Sequence, residues 1–523
     1  MKVGIVGSGI AGLSAAWLLT LRGNEVHLYE KQESLGLGAH SISVGSHGDE
    51  VDVPIRFFHE LFYPQMLSLL NYVGIETMAA TLSPSIQVFG QSCHYKLRNL
   101  NIGGYAIPYV TPWDFVKNAH TYWTIWRDSL RFKKASTHMQ NNQDVRCSLQ
   151  HMSLAQYLVD NGYSTLFIDM FLVPLFAVVS TSSAQDVRNY PITVVMDYIN
   201  TLMLTGKSTR RMTLGTKTAG DMIAKNVKEK HVGVKVQYIK PNHDENGKLL
   251  SVAIHADGLP VVDFDHVIMA TQANQAVKLV PNARADHVKT LSSFKYVWSE
   301  MVVHSDERLM PLDKSNWTIG NFFIQPNCPE TKRRKASPHY TPNGQEEQHG
   351  DLQGIQIKSG LDIRDFNKDG LCDCSPGGAI MCTVWQNISQ PLKMDKCGDG
   401  FPVFQTWNPW VQPRQDKILP NGYHYFERPV VTVETEKALE NLKAIQGQDN
   451  VWYIGAYSLP GVPLLENAAN SGLMIAERLT GQSRPWKVHP VGQTKQNKAG
   501  KLGSLILLVL LGVVLCSVLY SRL

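Results

Sequence analysis

Cysteine is scarce for a chain of this length. Eight occur in 523 residues, at irregular spacing, which excludes the disulfide framework of a small secreted domain. Cys372 and Cys374, with Cys382 and Cys397 beyond them, lack the spacing of a common zinc motif, so free thiols and no metal site are expected. Asp365-Phe366-Asn367-Lys368-Asp369-Gly370 imitates the start of an EF-hand loop, but its twelfth position is Pro376 where a calcium loop needs Glu. Charge of one sign is scarce too. The net charge is +5 and the basic residues are scattered, apart from Lys332-Arg333-Arg334-Lys335, a four-residue run read as a solvated loop. Nucleic acid is therefore not an expected partner. No signal-peptide pattern precedes the first apolar segment, so the N-terminal part is expected to stay in the cytosol and the sequons at Asn316 and Asn387 to be silent.

The informative part is the first thirty residues. Lys2-Val3-Gly4-Ile5-Val6 reads as a short buried strand. Gly7-Ser8-Gly9-Ile10-Ala11-Gly12 follows at once, and then a helical stretch, Leu13 to Leu21. Glu25 to Tyr29 forms a second strand with Glu30 at its end, 18 residues after Gly12. Each part has a physical task in holding a dinucleotide. Gly7 permits the tight strand-to-helix turn, Gly9 lets a pyrophosphate approach the backbone, and Gly12 lets helix and strand pack closely. The helix start offers free N–H groups and a partial positive charge. Glu30 can accept hydrogen bonds from a ribose.

Further along, Ser34 to His40 is a second glycine-containing loop, and Val51-Asp52-Val53-Pro54-Ile55-Arg56-Phe57-Phe58 reads as a strand. Phe264-Asp265-His266-Val267-Ile268-Met269-Ala270-Thr271 is a buried strand ending in small residues, and Val451 to Ile454, Gly455 and the helix opened by Leu464-Leu465-Glu466-Asn467 close the pattern. With these segments the chain resembles the flavin-containing amine oxidoreductase superfamily. Within it, the chain is most similar to a branch of predicted NAD/FAD-binding proteins, relatives of which accompany cyclopropane fatty-acid synthases. The resemblance implies FAD held by Gly7, Gly9, Ile10, Ala11 and Gly12 at the pyrophosphate, and by Glu30 and Lys31 at the ribose end. It also implies Gly38 and His40 beside the flavin, the backbone near Val236 at the adenine, and Gly455 and Leu465 at the pyrimidine end of the ring. Covalent members attach flavin through a cysteine shortly before the closing motif. None lies between Cys397 and Cys516 here, so the FAD is expected to be non-covalent.

The expected fold is α/β: a Rossmann-type FAD/NAD(P)-binding domain interleaved with an α+β substrate domain, plus a C-terminal transmembrane helix. Residues 1–75, 211–290 and 451–480 are assigned to the cofactor domain. Residues 76–210, mostly helical, and 291–450 are assigned to the substrate domain, with a polar insertion near 326–378. A basic linker, 481–501, leads to residues 502–520, an uncharged run of 19 that spans about 28 Å as a helix. Lys495, Lys498 and Lys501 before it predict a tail anchor with the catalytic part facing the cytosol, on the endoplasmic reticulum or outer mitochondrial membrane. The expected activity is hydride removal from a lipophilic substrate, an acyl chain or polyene, with the flavin supplying the chemistry and no catalytic side chain singled out. The aromatic residues of 113–175 and 401–425 are expected to face the flavin. An amine oxidase, a redox-neutral flavin isomerase and a dinucleotide-binding membrane protein without turnover are the alternatives.

Overall fold

The computed structural model describes residues 1–487 apart from 39–40, 46–47, 81–82, 89–94, 97, 103–104, 204–208, 282–283, 326–379, 390–391 and 393–401. His40, the insertion near 326–378, the EF-hand-like stretch and the run 502–520 lie outside the described residues. Among the described residues no helix is long and apolar enough to cross a membrane.

A five-stranded parallel sheet gathers widely separated pieces of chain. In chain order its strands are β1 (Lys2–Val6), β2 (Glu25–Tyr29), β3 (Glu229–His231), β4 (His266–Met269) and β5 (Val451–Tyr453), and in space they run β3-β2-β1-β4-β5. The inner strands read as unbroken apolar runs because both faces are covered. Ile5, Leu28, Ile268 and Trp452 enter one hydrophobic core, and Val6, Tyr29, Val267, Met269 and Tyr453 enter the other.

Helix α1 (Ile10–Leu21) packs on the first face beside the last described helix. Helix α2 (Pro64–Val73) has Pro64 in its first turn, where a missing N–H costs nothing, and ends at Gly74 in the left-handed region. Helix α3 (Gly215–Ile223) returns the chain toward β3, and α4 (Leu465–Thr480) follows β5. The strand expected over 264–271 falls at the junction of two strands. Val262–Phe264 is the edge strand of an antiparallel three-stranded meander, and β4 joins the parallel sheet. Asp265 makes the switch: its N–H donates to the Lys2 carbonyl at 2.9 Å, and its carboxylate accepts from the Lys2 N–H at 2.7 Å.

A seven-stranded mixed sheet forms the second layer. Its order is Ile418–Val430, Lys295–His304, Phe404–Trp407, Ile380–Trp385, Gly320–Ile324, Pro84–Val88 and Tyr95–Lys96. Helices cover it. In the part expected to be mostly helical, Pro112–Lys117, capped by Thr111 at Asp114, ends at Asn118, and Ala119–Asn141 follows at once. The stretch 154–180 contains a π-turn, Ile168–Leu172, between α-helical pieces.

Candidate functional site: a dinucleotide cradle beneath an apolar sheet face

The glycine loop behaves as its spacing predicts. Gly7 has φ +102° and donates its N–H to the Tyr29 carbonyl at 2.8 Å. A Cβ on Gly12 would stand 2.0 Å from the Gly7 carbonyl oxygen. Gly9 is different: it has φ −57°, and a Cβ there would meet nothing within 4 Å. The space in front of Gly9 is open, and no side chain caps α1. Its first intrahelical bond is Leu13 N–H to Gly9 O, so the N–H groups of Ile10, Ala11 and Gly12 precede the helical ladder.

Glu30 is buried and engaged. One carboxylate oxygen accepts from the Ser8 N–H at 3.0 Å and the Ser8 hydroxyl at 2.6 Å, and the other from the Gln32 N–H at 2.9 Å. Ser8 Oγ in turn accepts the Gly36 N–H at 2.8 Å. A Cβ on Gly36 would stand 2.2 Å from the Ser8 carbonyl oxygen, so the second glycine loop lies directly on the first. Ser8 and Gly36 therefore set the loop's shape, and their only signal in the sequence was a small residue between two glycines. Lys31 is exposed, and Gly38 closes a short 3₁₀ turn, Gly36–Gly38. Val236 has a core side chain, but its segment runs beside the acid: Val234 N–H donates to the Glu30 carbonyl at 2.9 Å. At the sheet edge the structure also brings His27, Glu229 and His231 within ligand distance of one another, a grouping that their separation in sequence hid.

The closing motif supplies a second helix start. Gly455 has φ +154° and donates to Ser471 Oγ at 3.0 Å. Leu465 opens α4, whose N-terminus has no side-chain cap. Helices α1 and α4 run parallel: Trp17 stacks on Trp486 at 5.6 Å, and Arg22 donates to the Ser483 carbonyl. They touch where a Cβ on Gly472 would lie 2.2 Å from the Ala11 carbonyl oxygen. That register places the start of α4 six residues, about 9 Å, beyond the start of α1. The first turn of α4 also carries Glu466, whose carboxylate caps α2 by accepting from the Gln65 and Met66 N–H groups, each at 2.9 Å. Burial pushes this carboxyl up to about 7, against the pull of those donors and of Arg484.

Above the cradle, the loop Asp52 to Arg56 joins the two layers. It contains a cis peptide at Val53-Pro54. The Asp52 carboxylate accepts from the Thr216 N–H and hydroxyl, both at 2.8 Å, at the start of α3. Gln405 donates to the Asp52 carbonyl at 2.6 Å and accepts the Ile55 N–H at 3.1 Å. Strand alternation then fixes which side chains share the Gln405 face: Val303, Met301, Trp407, Cys382, Val384 and, across the Ser299–Phe426 and Val297–Arg428 pairs, Phe426 and Arg428. Except for Gln405 and Arg428 these belong to or pack on one apolar core, together with Tyr122, Ile125 and Met170 from the helices.

Several aromatic residues expected to face the flavin are not on the Gln405 face. Tyr423 and Tyr425 alternate onto the opposite sheet face with Glu300, whose carboxyl burial pushes up. Phe404 packs with Trp317 and His304 on that same side. Trp113 and Trp123 are exposed. Composition located the aromatic residues, but a one-residue change of parity moves a side chain to the other face. The two acids nearest that stretch are engaged: Glu427 accepts from Asn274 and Gln275, and Asp416 pairs with Arg414.

Comparison with known proteins agrees with this architecture. The NAD(P)-binding Rossmann-like domain family matches residues 5–73. No curated protein sequence matches the chain. Among solved structures, a CLA-producing fatty acid isomerase from P. acnes is similar at 14% identity and a TM-score of 0.55, covering 91% of this chain and 98% of that one. A cyclohexylamine oxidase from Brevibacterium oxydans is similar at 11% identity and TM-score 0.53, covering 91% and 99%. A putrescine oxidase bound to putrescine is similar at 12% identity and TM-score 0.53, covering 92% and 99%. The chain shares the overall fold of these solved structures and opens with an NAD(P)-binding Rossmann-like domain.

Proposed function

We propose that this chain is an FAD-dependent oxidoreductase that acts on a lipophilic substrate and holds its cofactor non-covalently. The observation that carries the reading is the pair of parallel helix starts, both without a side-chain cap and offset by about 9 Å. The first stands behind the open space at Gly9 and suits a pyrophosphate. The second suits a group that gains negative charge further along the same molecule. FAD presents both, and when bound it supplies the hydride acceptor. The residues of the chain orient the partners and keep water out.

An acyl chain or polyene is favoured by the face above the cradle. Val303, Met301, Trp407, Cys382 and Val384 form the apolar core of that face, and each CH₂ that a ligand buries against apolar surface gains about 0.8 kcal/mol. An ammonium finds little on this face, since Glu300 lies on the other one and Glu427 and Asp416 are engaged. A membrane location is supported by the apolar run 502–520. It is supported also by exposed Trp113, Trp123 and Leu130, flanked by Lys117 and Lys134 on the helical layer. In this reading the folded part faces the cytosol.

The test is anaerobic stopped-flow reduction of the FAD-loaded protein. Long-chain lipids should bleach the flavin and short primary amines should not; the opposite pattern restores the amine reading. The likeness to a fatty acid isomerase gives a second reading, a double-bond shift without net electron transfer. Catalytic conversion of a polyunsaturated fatty acid to a positional isomer with no oxygen consumed would select it.

A further inference from the structure

Arg56 and Arg428 are 372 residues apart in sequence and lie near enough at the joint between the layers for the charge of one to act on the other. Arg56 follows the segment that Gln405 clamps, and Arg428 projects from the same sheet face as Gln405 and Trp407. The Arg428 guanidinium lies over the Phe426 ring at 4.7 Å and over the Trp407 ring at 5.5 Å. Stacking occupies the flat faces of a guanidinium and leaves its N–H edge free to donate in plane. Among the described residues no hydrogen bond or ion pair uses that edge: both Nε atoms are buried without a partner, and neither arginine pairs with an acid. Each arginine as a whole is half-buried. The nearest acid, Asp52, gives its Oδ1 to Thr216. Two like charges in a half-buried joint oppose each other. Burial and the Arg56 charge together hold Arg428 down to about 9.

We infer that Arg56 and Arg428 form a two-pronged site for one oxyanion, the acidic head group of the lipid substrate, whose chain lies along the apolar sheet face. This rests on the lipid reading and sharpens it: the substrate is a free acid, with its head against the joint, and a neutral polyene or ester is excluded. An anion between the two guanidinia supplies the missing acceptors and cancels their repulsion. A carboxylate and a phosphate monoester share this chemistry.

The experiment titrates the FAD-loaded protein with oleic acid, methyl oleate and dodecyl phosphate, following perturbation of the flavin absorbance. Wild type should bind an acidic probe roughly 30-fold or more tightly than the ester, the loss typical when a buried charge pair is broken. Whichever acid binds tighter identifies the head group. Arg428→Gln and Arg56→Gln should each bring acid and ester within about threefold while retaining FAD. Arg428→Lys should recover part of the preference, having the charge but not the planar fork. Equal binding of acid and ester by wild type overturns the site and leaves the lipid reading standing. Failure of every lipid to bind overturns the lipid reading and this inference with it. Loss of FAD from both Gln variants also overturns the site, because the arginines would then serve the cofactor.

Discussion

Gly9→Val separates a glycine needed by the fold from one needed by a ligand. At Gly9 the backbone has φ −57° and ψ 171°, which any residue can adopt, and the added carbons project into open space. The apoprotein should therefore lose only helix-capping preference, about 1 kcal/mol, or roughly 2 °C in Tm for a chain of this size. Cofactor binding should respond quite differently. At an FAD concentration a hundred times Kd, wild type gains about 2.7 kcal/mol, some 5 °C. If the valine blocks phosphate approach and weakens binding more than a hundredfold, the variant gains under about 0.4 kcal/mol and its Tm moves by less than about 1 °C. Gly12→Ala is the contrast: its Cβ would stand 2.0 Å from the Gly7 carbonyl oxygen, so the apoprotein itself should be destabilised or insoluble. Differential scanning fluorimetry of apoprotein with and without FAD reads all three proteins. A Gly9→Val protein that binds FAD like wild type would show that the open space is not the phosphate site. One that melts like Gly12→Ala would show that the space is not open.

Acid precipitation of the purified holoprotein should release its yellow chromophore to the supernatant; colour kept in the pellet would mean a covalent flavin. Because the folded-state carboxyl of Glu466 stands at about 7 against an ordinary 4.5, the native state holds its proton where the unfolded chain has lost it. Its contribution is thus fully present below about 4.5 and is lost as pH rises through 7, amounting to about 3 kcal/mol. Urea melts between pH 5 and 8 should show that decline in wild type and a flatter profile in Glu466→Gln, and parallel profiles would refute the assignment. Deleting residues 502–523 should leave the flavin spectrum unchanged, since the last helix of the cradle ends at Thr480. Fractionation should then find the protein released from membranes, and continued pelleting or lost FAD would show that the tail is not a separable anchor.

Local features of the site were legible in the sequence. The strand, Gly7, Gly12 and α1 follow from residues within one βα unit, where spacing dictates geometry. Contacts between distant segments were not. Glu466 caps α2 from 400 residues away, and Gln405 clamps a loop 353 residues earlier; an acid near a helix start and a glutamine in an aromatic stretch carry no mark of either partner. Asp265 breaks one apolar run into strands of two sheets, a change that periodicity cannot register within so short a segment. The sheet face taken by Tyr423 and Tyr425 was illegible for a related reason. Sequence shows alternation along a strand, but only pairing to Glu300 and Val302 decides which parity faces the core.

The order of strands in the parallel sheet bears on how the protein is made. The recognisable nucleotide-binding segment ends at residue 73, yet β1 has β4 on one side, and α1 rests on α4 at Gly472. An isolated fragment of that segment would expose the apolar edge of β1 and the helix face that α4 covers, and the Asp52 loop would lack its Gln405 clamp. The cradle is thus complete only once C-terminal segments are in place, although its first strand and helix are translated first. Such long-range closure makes for slow folding, and a newly emerged N-terminal segment must be kept from aggregating until residues near 480 arrive.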